Sequence, residues 1–285
     1  MPHTAQLSTS LRLLRTGFGI LGPLFPGLAG RLAYRLWFST RRFPEPSRES
    51  QWLTQAQTDS ILWQKRPLVR YQWGAPDAPA VLLVHGWNGR GAQLGGFAAA
   101  LNGAGLRAVA FDAPAHGRSP GDSTNIFDYA EAIQCVATSS GQVIGAIAHS
   151  FGAPACARAL LQGLELPRLV TISAPASAEF LLQRFAHSLA IPPVAITAMR
   201  SRIEQHFGID IFARLATETM FADQTLPGLI IHDQQDRDVP STHAERLQRA
   251  WRDSQLLLTE GLGHQRILRD PEVIAAAVSF LNPRS

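Results

Sequence analysis

An α/β fold with a mostly parallel central sheet and helices on both faces is what the 285-residue chain predicts. Three observations carry it. From about Lys65, strand-like and helix-like segments alternate, which calls for crossover connections between parallel strands. The strand-like segments include short continuous apolar runs such as residues 81–84, the pattern of a strand covered on both faces. Polar, chemically capable residues gather directly after these runs, where the loops at the carboxyl ends of parallel strands lie.

In order, residues 68–73 alternate apolar and polar and end in the turn Gly74-Ala75-Pro76-Asp77, predicting a half-exposed strand. Strands follow at 81–84, 107–111, 142–148, 168–173, 228–232 and 254–258. Between them helices are predicted at 92–103, 126–139 (Ile126, Tyr129, Ile133 and Val136 on one face), 153–163, 241–252 and 271–281. Between Ala174 and Pro227 about fifty residues lack a strand signal. Leu181, Phe185 and Leu189 share a helical face there, and further helices are expected over 194–207 and near 212–219. An insertion of this length is commonly functional, so a small helical cap after the sixth strand is expected; plain helical packing is the simpler reading. The predicted organisation is a basic helical arm (1–64), a core (65–175 and 227–285) and the cap (176–226).

Composition narrows function. An apolar share of 46% with 17% charged residues describes a globular core. The chain carries +4, but residues 1–50 hold seven arginines against two glutamates, leaving −1 for the remainder. The basicity belongs to the arm, which does not interleave aromatic and basic residues as a base-stacking platform would, so no nucleic-acid partner is expected. Cys135 and Cys156 provide neither a disulfide framework nor a metal cluster.

Residues 16–30 are uncharged, with Pro23, Pro26 and five glycines, and fall short of the roughly 20 apolar residues of a spanning helix. The paired prolines also disrupt a secretory signal. Residues 31–38 read as a short amphipathic helix with Leu32, Leu36 and Trp37, followed by Arg41 and Arg42. It suits an anionic membrane surface, or an arm that docks on the main domain or a second copy, the preferred reading. The expected location is cytoplasmic, with peripheral membrane contact or self-association through residues 1–50. Ser47, Glu49 and Trp52 lead into a helix expected to end near 61–63.

The strand ends carry the chemistry. Residues 148–152, Ala-His-Ser-Phe-Gly, leave the apolar run 142–147 in a pattern that holds a serine on a sharp, exposed turn. A serine hydroxyl needs a base to remove its proton during attack. His264, in a glycine-flanked loop after the last strand, is the candidate base, and a buried carboxylate should fix its tautomer. Glycines 86, 89 and 91 with Asp112 loosely suggest a nucleotide site, but their spacing is irregular and Ser150, Asp236 and His264 would go unexplained. No two histidines plus a carboxylate fall at zinc-site spacing, so neither metal nor cofactor is expected.

Five motifs in order make residues 65–285 resemble the α/β-hydrolase superfamily: His85-Gly86-Trp87; the run 112–119, Asp-Ala-Pro-Ala-His-Gly-Arg-Ser; the elbow 148–152; the run 236–240, Asp-Arg-Asp-Val-Pro; and Gly263-His264. Ala115 and Ala148 stand where that family more often has glycine. The resemblance implies a serine hydrolase of esterase or lipase type. Ser150 would be the nucleophile, His264 the base and Asp236 the acid, with Asp233 and Asp238 as rivals for the acid. Backbone N–H groups of Trp87 and Phe151 would hold the oxyanion. Serine at 150 disfavours dehalogenase and epoxide hydrolase chemistry. Phe180, Phe185 and Met199 are candidate contacts for a small acyl substrate. An acyltransferase, or a non-catalytic or membrane-associated binding protein on the same fold, remain as alternatives.

Overall fold

The computed structural model describes residues 9–282. Eight strands form its sheet: β1 (Gln57–Trp63), β2 (Arg66–Trp73), β3 (Ala80–Val84), β4 (Arg107–Phe111), β5 (Val143–His149), β6 (Leu169–Ile172), β7 (Gly228–Asp233) and β8 (Ser254–Thr259). Their order is β1-β2-β4-β3-β5-β6-β7-β8. β2 pairs antiparallel with both β1 and β4, and every other pairing is parallel. The helices up to the elbow are α1 (Thr9–Leu21), α2 (Pro26–Phe38), α3 (Ser47–Thr54), α4 (Ala98–Gly103), α5 (Ile126–Thr138) and α6 (Gly152–Leu161). The later ones are α7 (Ala178–Leu189), α8 (Pro193–Phe207), α9 (Ile211–Arg214), α10 (Thr217–Phe221), α11 (Thr242–Ala250), α12 (Gly263–Arg266) and α13 (Pro271–Leu281).

The chain divides into two compact units. One contains the described residues up to Ser39 together with Ala178–Arg214, and is wholly helical. The other contains Thr40–Ser177 and the chain from Leu215 onward, and holds the sheet. The expected arm thus contributes to both units, because residues 40–64 group with the sheet.

In the sheet unit, alternation along each buried strand sends side chains to two cores. Leu82, Val84, Val109 and Phe111 face one side with Tyr129, Ile133 and Trp251. Val81, Leu83, Ile147 and Ile172 face the other with Phe97, Leu101 and Leu281. Each such side chain contributes about 1.5–3 kcal/mol of burial free energy, enough to make a one-residue register slip prohibitive. From β3 the chain moves outward to β4, then returns to the opposite side of β3 as β5. That reversal opens a crevice beyond the carboxyl ends of β3 and β5, and the loops of the site meet there.

One predicted element is corrected. The helix expected to run to 61–63 stops at Thr54, and residues 57–63 form β1. Pairing decides it: Asp59 lies opposite Arg70 on β2 and accepts from its Nε (2.9 Å) and Nη2 (2.6 Å). The expected helix at 31–38 begins earlier, at Pro26, where a residue without an N–H costs nothing in the first turn.

Candidate active site

Ser150 sits between β5 and α6 with φ +51°, a left-handed conformation that costs a non-glycine residue roughly 1–2 kcal/mol. Neighbours impose it. Its backbone N–H still bonds to Ile172 O on β6 (2.9 Å), and its carbonyl accepts from Ala153 N in the first turn of α6 (3.0 Å). Close approach is possible because glycines flank it: a Cβ on Gly152 would stand 2.5 Å from Val84 O, and one on Gly86 would stand 2.9 Å from the Ser150 Cβ. The loop after β3 therefore lies directly against the serine.

That loop is held from behind. His85 is fully buried; its Nε2 accepts from Ala113 N (3.0 Å), so the proton resides on Nδ1, 2.7 Å from Gly86 O. Burial pushes its pKa down to about 4, which keeps the ring neutral. Tyr129 Oη donates to His85 O (2.5 Å) from helix α5. The periodicity of 126–139 marks Tyr129 only as a core residue, and nothing in the sequence signals that its hydroxyl serves the loop. The Trp87 and Phe151 rings meet edge to face at 5.0 Å, so the two candidate oxyanion donors come from adjoining turns.

Asp236 and His264 come together. His264 Nδ1 lies 2.7 Å from Asp236 Oδ2, while Asp236 Oδ1 accepts from the N–H groups of Asp238 (2.8 Å) and Val239 (3.0 Å). Burial alone would raise this carboxyl, but the His264 hydrogen bond and charge, with the two backbone donors, hold it at about 2. His232 lies beside Asp236 (3.7 Å) but directs Nε2 to Val239 O at 2.8 Å, and burial lowers its pKa.

Of the two rivals for the acid, Asp233 is engaged elsewhere. Asp233 accepts from Gln235 N, Thr259 Oγ1 and Leu262 N, joining the ends of β7 and β8. Burial opposes its ionisation, yet backbone donors from Leu262 and Gly263 bring its pKa below the ordinary value. Asp238 is exposed. Ligand atoms of Asp236, Asp238 and His264 lie within 4.8 Å of one another. Both Asp236 oxygens are already hydrogen-bonded.

A cavity of about 220 Å³ is lined by Ser150, His264, Gly86 and Trp87, with Phe43, Arg90, Gln93 and Gln265 among its other walls. Strand alternation suggests that His149 faces away from Ser150; instead it lines this cavity. Its ring lies 4.8 Å from that of His264 and its Nε2 is 3.0 Å from His264 O. The left-handed turn at Ser150 breaks the strand rule at this point. Burial, then the neighbouring His264, lower the His149 pKa to about 3, so it acts as a neutral support for the histidine loop. Arg90 forms a buried ion pair with Glu49 of α3 (2.5 Å) and also donates to Phe43 O and Pro44 O. No sequence pattern announces this anchor.

Asp112 answers the nucleotide reading. It is buried and accepts from Gly91 N (2.7 Å), Arg118 N (2.7 Å) and Tyr71 Oη (2.8 Å), so the glycine-rich turn offers Gly91 N–H to its own chain. Phe180, Phe185 and Met199 belong to the helical unit. Met199 is buried there, and Phe185 packs edge-on against Trp37.

The profile of the alpha/beta hydrolase family matches residues 81–277, from β3 into α13. The chain belongs to that family. Among solved structures it is similar to a putative lipase from Acinetobacter baumannii AYE (17% identity, TM-score 0.62, covering 85% of this chain and 97% of that one). It is also similar to a monoacylglycerol lipase from Paleococcus ferrophilus (23%, 0.59, 76% and 99%) and to an esterase from Rhodococcus sp. ECU1013 (16%, 0.60, 81% and 100%). At these identities the likeness speaks to the fold. No curated protein matches the chain in sequence.

Proposed function

We propose that the chain is a serine hydrolase that cleaves a carboxylic ester, or a related acyl bond, through an acyl-enzyme intermediate. The carrying observation is the pairing of a buried, ionised Asp236 with His264 at 2.7 Å, in a cavity that also exposes Ser150 on a strained turn. Asp236 fixes Nδ1 of His264 as the protonated nitrogen, leaving Nε2 to take the Ser150 proton as Oγ attacks the acyl carbon. The new C–O bond places negative charge on the former carbonyl oxygen, which the N–H groups of Trp87 and Phe151 receive. His264 then returns the proton to the leaving oxygen. Water repeats the sequence on the acyl-enzyme and frees Ser150.

The test is labelling by a fluorophosphonate probe, followed by a screen of ester chain lengths. Native protein should label and Ser150→Ala should not, with turnover falling on the order of a millionfold. Full activity in Ser150→Ala would refute the nucleophile. Folded native protein that neither labels nor turns over any ester would refute the hydrolase reading.

A further inference from the structure

The N-terminal hairpin of the helical unit has two unlike faces. One is packed: Phe18 and Ala33 are buried, a Cβ on Gly22 would meet Pro192 at 2.7 Å, and one on Gly30 would meet the Ala198 Cβ at 2.7 Å. Arg15 ties α1 to the end of α7 through His187 O (3.1 Å) and Ser188 O (2.7 Å). The other face is apolar and bare. Leu13, Ile20, Leu21, Leu24, Phe25, Leu28 and Leu32 are 43–69% exposed. They make up seven of the thirteen large exposed hydrophobic residues described, within twenty consecutive positions. Isolated exposed leucines are ordinary, but a concentration of this kind marks a surface that meets something.

Charge and backbone geometry identify what it meets. The first 44 residues contain no aspartate or glutamate, and Arg12, Arg31 and Arg35 are exposed on the hairpin. At 1.5 Å per residue, Arg12 stands about 13 Å behind the end of α1, while Arg31 and Arg35 stand about 8 and 14 Å behind the start of α2. Along each helix, then, the guanidinium groups stand back from the apolar connection. Part of the polar backbone at the tip is paired internally: Gly22 N bonds to Phe18 O (3.0 Å), Phe25 N to Leu21 O (2.9 Å) and Ala29 N to Phe25 O (3.0 Å). Pro23 and Pro26 have no N–H to satisfy. Each such pairing lowers the cost of bringing backbone toward a hydrocarbon environment. Among the described residues no helix is long and apolar enough to cross a membrane, and α1 and α2 are each about 20 Å long.

From this arrangement we infer that the hairpin tip, centred on Leu24, Phe25 and Leu28, inserts into one leaflet of an anionic lipid surface, with Arg12, Arg31 and Arg35 at phosphate level. An immersion of roughly 5–10 Å covers the tip and stops at the arginines, as in monotopic anchoring. The interfacial reading of Leu36 and Trp37 is thereby relocated, since Trp37 is engaged with Phe185.

Vesicle co-sedimentation of the full chain tests the proposal, with phosphatidylcholine alone against a mixture containing 30% phosphatidylglycerol. The native chain should prefer the anionic vesicles, and the preference should decline with added salt. The triple variant Leu24→Asp, Phe25→Asp, Leu28→Asp alters exposed positions and should lose binding at least tenfold with unchanged circular dichroism. Arg12→Gln, Arg31→Gln, Arg35→Gln should lose about a hundredfold on anionic vesicles, since each arginine near such a surface contributes about fivefold. This variant tests the charge term even if the aspartate variant misfolds. A native chain that ignores anionic vesicles would overturn the inference. So would a lipid-free dimer, seen by sedimentation velocity, that the aspartate variant dissociates while vesicle binding is absent; the face would then join two copies of the chain.

Discussion

Asp112 and Asp236 invite comparison. Both follow strands of the same sheet, both are buried, and each accepts two backbone N–H donors and one side-chain donor. Their acidities nonetheless move in opposite directions. Burial dominates at Asp112, and its pKa rises despite its donors. At Asp236 the opposing contributions win and the pKa falls to about 2. Depth of burial and the third partner both differ, with Asp112 1% exposed and Asp236 6%. Tyr71 offers a neutral hydroxyl, whereas His264 offers a ring that can carry positive charge. A buried carboxylate thus braces a loop in one place and is electrostatically poised in the other, although their hydrogen-bond inventories look alike.

Asp236→Asn is the strongest way to break this contrast. On the proposed mechanism it should lower turnover on the order of 10⁴-fold, because an amide cannot stabilise the imidazolium and can favour the wrong tautomer. Steady-state ester hydrolysis reads this. Asp112→Asn should leave the turnover of folded protein within about tenfold but reduce stability by about 2–3 kcal/mol in urea titrations, since an amide cannot accept from three donors. Gly117→Ala attacks the same brace without touching the carboxylate. Gly117 has φ +48°, and an added Cβ would lie 2.3 Å from an Asp112 oxygen. A loss of at least about 2 kcal/mol is expected, visible as a lower melting temperature.

Acid titration should separate the two carboxylates by sign. Asp236 has a folded pKa below its unfolded value of 3.8, so its contribution is present above about pH 4 and lost as pH falls toward 2. The stability difference between the native chain and Asp236→Asn should shrink over that window, by about 2 kcal/mol. Asp112 has a folded pKa above 3.8, so its ionisation opposes folding as pH rises past that value. The difference between the native chain and Asp112→Asn should instead widen in favour of the native chain as pH falls. Parallel behaviour of the two variants would remove the contrast.

Much of this architecture is legible in the sequence because it rests on side-chain periodicity. Strands β3 to β8 announce themselves as apolar runs, and the motifs at their ends follow from where parallel strands deliver loops. β1 escapes notice because Gln57, Thr58, Asp59 and Ser60 are polar and largely exposed at the sheet edge, so only the ladder to β2 reveals it. α1 is obscured by Gly17 and Gly19, which lower helix propensity, and its packing partners lie about 170 residues away. Within the site, Ser150 and His264 can be read from local pattern. The Tyr129 hydroxyl on His85, the Glu49–Arg90 anchor and the approach of His149 to His264 depend on folding distant segments together, and no local spacing encodes them.

The strand order also bears on how the protein is made. His264 follows β8, the outermost strand at its end of the sheet, and β8 pairs only with β7. A ribosome therefore releases Ser150 more than a hundred residues before its proposed base, and the serine waits on a sheet that lacks its last strand. Until that strand docks, the nascent chain carries a serine without its proposed base, so any acyl chemistry at Ser150 waits on β8.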